Sequence, residues 1–279
     1  ISANMHSVMN TLYSPLALTT EFKKHTAMEI YEMLSDSKNS LLRKKVMKYA
    51  SENGLIYIKD TSGTNINVQI IDTAKLPTKL SVEANENKPV IIVMDYAFGE
   101  QAFETMDELL KPYKISKKET QFLNVCSVSI MGKAGILEGG KGDIMIPSAH
   151  VFEGTADNYP FKNMLKKSHF EGETVNVSKG AMITVLGTSL QNKDILKFFN
   201  NSTWNVVGLE MEGAHYQKAI QSASKIRHSI SSKVKVQYAY YASDNPLKTG
   251  GTLASGGLGT SGVKPTYLIT EKMLNQILE

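Results

Sequence analysis

The chain has 279 residues, 42% of them hydrophobic and 21% charged, which is the composition of an ordinary globular protein and enough for one large α/β domain or two small ones. Its net charge of +4 comes from scattered basic residues with only short clusters such as Lys44-Lys45 and Lys117-Lys118, so no nucleic-acid-binding stripe is present. No apolar run approaches the roughly 18 residues of a membrane span, and the single cysteine, Cys126, excludes an internal disulfide.

Cysteine usage fits a reducing cytosol, and a cytoplasmic location is expected. The start, Ile1-Ser2-Ala3-Asn4-Met5, lacks the basic-then-apolar order of a signal peptide. A chain that opens on Ile is expected to have been processed or cut from a longer one.

In chain order, residues 16–35 read as a helix with Thr19 or Thr20 as N-cap, and 40–52 as a second helix stopped by Asn53-Gly54. Residues 55–58 and 66–71 read as strands of a hairpin around Thr61-Ser62-Gly63-Thr64. Residues 73–88 are polar and irregular. Pro89 to Met94 is a continuous apolar run, expected to be a strand buried on both faces. An amphipathic helix follows from Glu100 to about Leu110. Phe122 to Met131 reads as a strand that buries Cys126, and Asp143 to Pro147 as another. Residues 153–178 are expected to be a surface excursion. Strands at 181–186, 204–209 and 234–242 then alternate with helices at 192–199, 211–227 and 268–278, and a flexible loop is expected at 249–257. That alternation predicts an α/β sheet, at least partly parallel.

Gly135 to Gly142 nearly matches a phosphate-binding P-loop. Gly142 stands where the Mg²⁺-binding hydroxyl belongs, and the apolar stretch that follows reads as a strand where a helix is required. Gly132-Lys133-Ala134-Gly135 is instead a strand-end loop whose small residues let backbone approach a flat ligand, or a plain tight turn. The six histidines have no metal-ligand spacing, so no metal site is expected.

The most informative stretch is Glu210-Met211-Glu212, read with Ser243-Asp244. Each closes a strong strand, and carboxylates at strand ends sit where open α/β sheets bind ligands. Acids at a helix start are also explained by the helix dipole, and Asp244 before Asn245-Pro246 by a helix cap or turn. Together they suit cleavage of an N-glycosidic bond: Glu212 to grip a polyol such as ribose, Asp244 to protonate a leaving base.

From these residues the chain resembles the purine nucleoside phosphorylase and nucleosidase superfamily. Ser129 to Gly135 is similar to that family's base loop, Gly142 to Ile146 to the strand after it, and Gly187 to Asn192 to its base-stacking segment. Val207 to Glu212 is similar to its Val-x-Met-Glu signature and Ser243-Asp244 to its Ser-Asp acid. The resemblance covers about residues 89–279. It implies a three-layer α/β/α sandwich on a central mixed β-sheet, with 89–279 as the core and 1–88 as an N-terminal helical and hairpin segment, all in one compact domain. It implies a small nucleoside-like substrate, no cofactor, no nucleic acid or membrane partner, and a homodimer or higher homo-oligomer.

Carried over residue by residue, the resemblance implies that Glu210, Met211 and Glu212 meet the sugar and that Asp244, oriented by Ser243, faces the base. Gly132, Lys133, Ala134, Gly135, Leu190 and Gln191 would border the base. The departures favour water over phosphate as nucleophile. Only Arg43 and Arg227 are arginine, Ile130 and Met131 stand where a phosphate-holding arginine would, and the turn Asp95 to Glu100 is acidic. Glu21 and Glu100 are the water-activating candidates. Leu190 replaces the stacking aromatic, a role left to Tyr159 or Phe161. The alternative reading is a catalytically weak nucleoside- or nucleotide-binding sensor module of a larger protein; a P-loop phosphotransferase is a distant third.

Overall fold

A computed structural model describes residues 1–76, 88–155, 157–187, 192–249 and 259–279. In chain order these form α1 (Met5–Ala17), α2 (Thr19–Phe22), α3 (Ala27–Ser35), α4 (Ser40–Glu52), β1 (Leu55–Ile58), β2 (Val68–Asp72), β3 (Val90–Met94) and α5 (Gln101–Leu109). Then come β4 (Tyr113–Lys114), β5 (Thr120–Gln121), β6 (Ser127–Ile136), β7 (Ile144–Phe152), β8 (Asn158–Pro160), β9 (Val177–Thr184), α6 (Lys193–Asn201) and β10 (Val206–Glu210). Last are α7 (Gly213–Gln221), β11 (Lys235–Asp244), α8 (Pro246–Thr249) and α9 (Val263–Leu278). The chain divides into two units, Ile1–Tyr96 with Leu258–Glu279, and Ala97–Gly257. The sequence reading puts its division at 88/89; β3 belongs to the first unit.

In the first unit, a three-stranded antiparallel sheet in the order β1-β2-β3 lies with helices whose apolar faces bury Tyr13, Leu18, Ile30, Val46, Ile71 and Val93. The single helix expected over 16–35 is broken into pieces, and α1 begins well before it. Thr26 is the reason. Its hydroxyl accepts the Glu29 N–H while the Glu29 carboxylate accepts the Thr26 N–H at 2.7 Å, a capping box that starts α3 afresh. Apolar periodicity runs through the break and hides it. α4 ends at the predicted glycine, whose φ of +96° suits no larger residue. β3 is the last strand of this sheet, with residues 1–3 bonded along its other edge; Val90 is exposed and Ile91 buried, so it is not a strand covered on both faces. Its apolar run reflects one buried face plus a half-covered one.

The second unit is built on a mixed six-stranded sheet in the order β11-β6-β10-β9-β7-β8. β11 pairs with β6 in parallel and also with β7 in antiparallel sense, so the sheet curls until five of its strands close on themselves. α6 and α8 cover β9 and β10 through Leu196, Phe199 and Leu247, packed on Ile183, Val206 and Leu209. This mixed α/β architecture with a central mixed sheet is the one the resemblance implies. β8, paired to β7, and the buried Leu165 and Phe170 fall inside the stretch read as a surface excursion.

Two further expectations are corrected. Cys126 is exposed, and the strand there starts only at Ser127. Phe122 and Leu123 ahead of it are exposed too; the apolar run outlasts the pairing, since β11 begins opposite Ser127. The near-P-loop is the β6–β7 connection. Gly140 N–H donates to the Asp143 carboxylate at 2.8 Å, so the chain's own acid takes that donor, and β7 follows where a helix would be needed. The loop expected at 249–257 lies outside the described residues from 250 onward.

Close packing inside the curled sheet leaves Gly208 no room for a side chain. A Cβ there would lie 2.4 Å from the Met145 sulfur and 2.6 Å from the Gly135 carbonyl oxygen. Gly208→Ala should therefore lower stability by about 1–3 kcal/mol, read by urea unfolding. A midpoint equal to that of the unaltered protein would show that the strands can separate there at no cost.

Candidate active site

β6 lies between β10 and β11, and Gly135 faces both. Leu209 of β10 and Asp244 of β11 are each in register with Gly135. Two interstrand spacings separate them, about 10 Å between Cα atoms. β10 runs antiparallel to β6 whereas β11 runs parallel to it. The strands that carry the carboxylates therefore do not share one edge of a parallel sheet, as the sequence suggests; they run in opposite senses on the two sides of β6.

A bulge between Ala242 and Asp244 interrupts β11 at Ser243, a device that re-aims side chains at strand ends. The Ser243 hydroxyl donates to Oδ1 of Asp244 at 2.6 Å, with the Ala134 carbonyl 3.1 Å away as its other acceptor. Oδ2 of Asp244 is buried and has no hydrogen-bond partner among the described residues. The helix cap is not Asp244. Asn245 accepts the N–H groups of Leu247 and Lys248 and donates to the carbonyls of Leu137 and Gly139, which pins the turn to the end of β6. A neighbour thus takes the capping role and leaves Asp244 for other work.

On the other side, the turn from β10 into α7 carries Glu210, Met211 and Glu212. Glu210 is buried, and both its oxygens are engaged within the chain. Oε1 takes the Thr184 hydroxyl; Oε2 takes the N–H groups of Glu212, at 2.6 Å, and Gly213. Burial first, and then the charge of Glu212, push its carboxyl up to about 8 against those donors. Glu212, also buried, accepts the Gly99 N–H at 3.1 Å. That contact joins it to the turn ahead of α5, which is held as well by the Ala97 N–H donating to the Tyr216 hydroxyl. Met211 is half-buried against the cluster around Leu209.

The remaining predicted residues divide. Gly132, Ala134 and Gly135 are buried in β6, while Lys133 is exposed. Glu100 is exposed beside Gly99, and its charge opposes the burial that holds the His215 imidazole below its ordinary value. Glu21 lies in the first unit on α2, with Lys45 at 3.6 Å. Leu190 and Gln191 lie outside the described residues. Phe161 stacks on His150 at 5.2 Å between ring centroids, and Tyr159 meets Phe152 edge-on.

Sequence reasoning missed the residues behind the turn. His150 and Tyr240 are fully buried and joined at 3.1 Å, and burial drives the His150 imidazole down to about 3, so it is neutral. A Cβ on Gly213 would lie 2.3 Å from the His150 ring and 2.6 Å from the Tyr240 hydroxyl. The glycine is what lets α7 start against this wall. Thr184 and Gly99, too, carry no signal in sequence beyond their place at element ends. Among the described residues no cluster of three or more His, Cys, Asp or Glu could hold a metal, and no helix is long and apolar enough to cross a membrane.

This curled mixed sheet has the fold of solved nucleosidases. The structure superposes on the 5′-methylthioadenosine/S-adenosylhomocysteine nucleosidase of Campylobacter jejuni with a TM-score of 0.54 at 11% identity, over 90% of this chain and 95% of that one. Futalosine hydrolase of Helicobacter pylori matches with a TM-score of 0.51 at 14% identity, over 80% and 88%. The nucleosidase of Colwellia psychrerythraea 34H, solved in complex with adenine, matches with 0.51 at 14% identity, over 80% and 86%. By sequence, the chain belongs to a family of unknown function, DUF6909, whose profile spans residues 19–279. Among curated proteins no relative matches.

Glu210 makes stability depend on pH with a definite sign. Its folded value of about 8 lies above the ordinary 4.5, so between them the native state holds a proton that the unfolded chain has lost. Its contribution to stability is then full below about pH 4.5 and declines towards pH 8, at up to about 1.4 kcal/mol per unit. Glu210→Gln should flatten that decline in urea unfolding at pH 5 and pH 8. Parallel profiles for the two proteins would assign the slope to other groups.

Proposed function

We propose that this protein cleaves the N-glycosidic bond of a purine nucleoside or a related compound, with water as the nucleophile. The observation that carries the reading is the pair of acids that follow from the two strands beside β6: a buried Glu212 anchored in the turn after β10, and at the end of β11 an Asp244 with one oxygen held by Ser243 and the other unpartnered among the described residues. Cleavage passes through a sugar with oxocarbenium character and leaves an electron-rich base. In this reading Glu212 binds the sugar hydroxyls with Met211 packed on the ring, and Asp244 Oδ2 delivers a proton to the departing base. Ser243 keeps Asp244 oriented. Ala134 and Gly135, with Gly132 and the backbone of Lys133, form the wall beside the base, and Glu100 takes the proton that water loses as its oxygen bonds to the sugar carbon that the base leaves. The setting that goes with it is a cytoplasmic homo-oligomer.

The arginines support water over phosphate. Arg43 is spent on the carbonyls of Leu34, Asp36 and Ser37, and Arg227 on Asp107 at 2.6 Å. Neither is placed to clamp an oxyanion with the bidentate fork that phosphate recognition favours.

Incubated with a panel of purine nucleosides and 5′-substituted analogues, the protein should release free base at a rate that added phosphate leaves unchanged. Asp244→Asn should lower kcat by about 10²–10⁴-fold, the usual worth of general acid catalysis. Release that requires phosphate would replace hydrolysis by phosphorolysis. Binding without release by the folded, unaltered protein would favour the sensor module.

A further inference from the structure

We infer that Thr184 is a positioning residue, which with Glu210 forms a clasp that keeps Glu212 from capping its own helix and so presents its carboxylate to the sugar. This rests on the reading of Glu212 as the sugar-binding acid.

The first N–H groups of a helix have no partner within it and are met by an acceptor at or near the N-cap. Glu212 is the residue at that cap, yet its side chain makes no capping bond; its carboxylate instead takes the Gly99 N–H. Acceptors from elsewhere occupy the N–H groups of residues 212 to 214. Glu210 takes the N–H of Glu212 and of Gly213, and the Thr184 hydroxyl accepts the Ala214 N–H at 3.0 Å while donating its proton to Glu210. Thr184 ends β9 in register with Glu210 across the parallel pair, so the sheet itself holds the two together. Behind the turn, the His150–Tyr240 wall against Gly213 stops α7 from shifting to find other acceptors. Each N–H group from 212 to 214 thus has its acceptor before the Glu212 side chain is counted.

Removing the Thr184 hydroxyl while keeping its shape reopens the Ala214 N–H. Glu210 already holds two N–H groups through Oε2, and Glu212 is the acid at the cap with no capping bond of its own; a charged oxygen on a helix N-terminus is favoured by the dipole as well as by the bond. The carboxylate should swing inward and leave Gly99 and the sugar site.

The test is the crystal structure and steady-state kinetics of Thr184→Val, with Thr184→Ser as the variant that restores the hydroxyl and Thr184→Ala as substitute should valine prevent folding. In the crystal, the Glu212 carboxylate should accept the Ala214 N–H; finding it still on the Gly99 N–H overturns the clasp, whether or not any nucleoside is cleaved. With the nucleoside that the unaltered protein cleaves best, KM should rise about tenfold or more with kcat within about threefold, and serine should restore KM. A moved carboxylate with unaltered KM would leave the clasp in place and remove Glu212 from sugar binding. A fall in kcat with KM constant, and Glu212 unmoved, would make Thr184 merely structural.

Discussion

One strand position organises the candidate site. Gly135 has β10 on one side and β11 on the other, and its register with Leu209 and Asp244 brings together two chain segments more than thirty residues apart. The strands run in opposite directions on the two sides of β6. A slip of one residue in either pairing would turn alternate side chains to the other face, carrying an acid out of the site. The close contacts around Gly208 and the bulge at Ser243 resist such a slip, the first by excluding any side chain and the second by being anchored through Asn245 to the end of β6.

The two acids are prepared differently. Asp244 is oriented by an adjacent hydroxyl and relieved of capping by Asn245. Glu212 is relieved of capping by residues beneath it, Glu210 and Thr184, and tied outward to the turn before α5. In both cases a neighbouring polar residue takes over a structural duty that the acid would otherwise perform. A buried carboxylate with no such relief would satisfy the nearest N–H groups, and the site would close on itself.

Much of this was legible in sequence because it rests on short-range signals. Glu210-Met211-Glu212 and Ser243-Asp244 close strongly apolar strands, whereas Gly132 to Gly135, which read as a strand-end loop or turn, lie inside β6. What sequence could not show was set by pairing partners. The antiparallel sense of β10 against β6, the closure of β11 onto β7, and the wall of His150 and Tyr240 depend on contacts between residues tens of positions apart. The break before α3 was hidden for the opposite reason: the Thr26–Glu29 box is local, but an apolar period running through it masks the signal. Cys126 was read as buried because hydrophobicity continues past the point where a partner strand exists.

The most direct measurement of the central claim is the crystal structure of the Asp244→Asn protein with a purine nucleoside bound. The account predicts one ligand spanning Gly135, its sugar hydroxyls within hydrogen-bond reach of Glu212 and its base facing the side chain at 244. A nucleoside seated elsewhere, or one that meets only one of these two side chains, would contradict it.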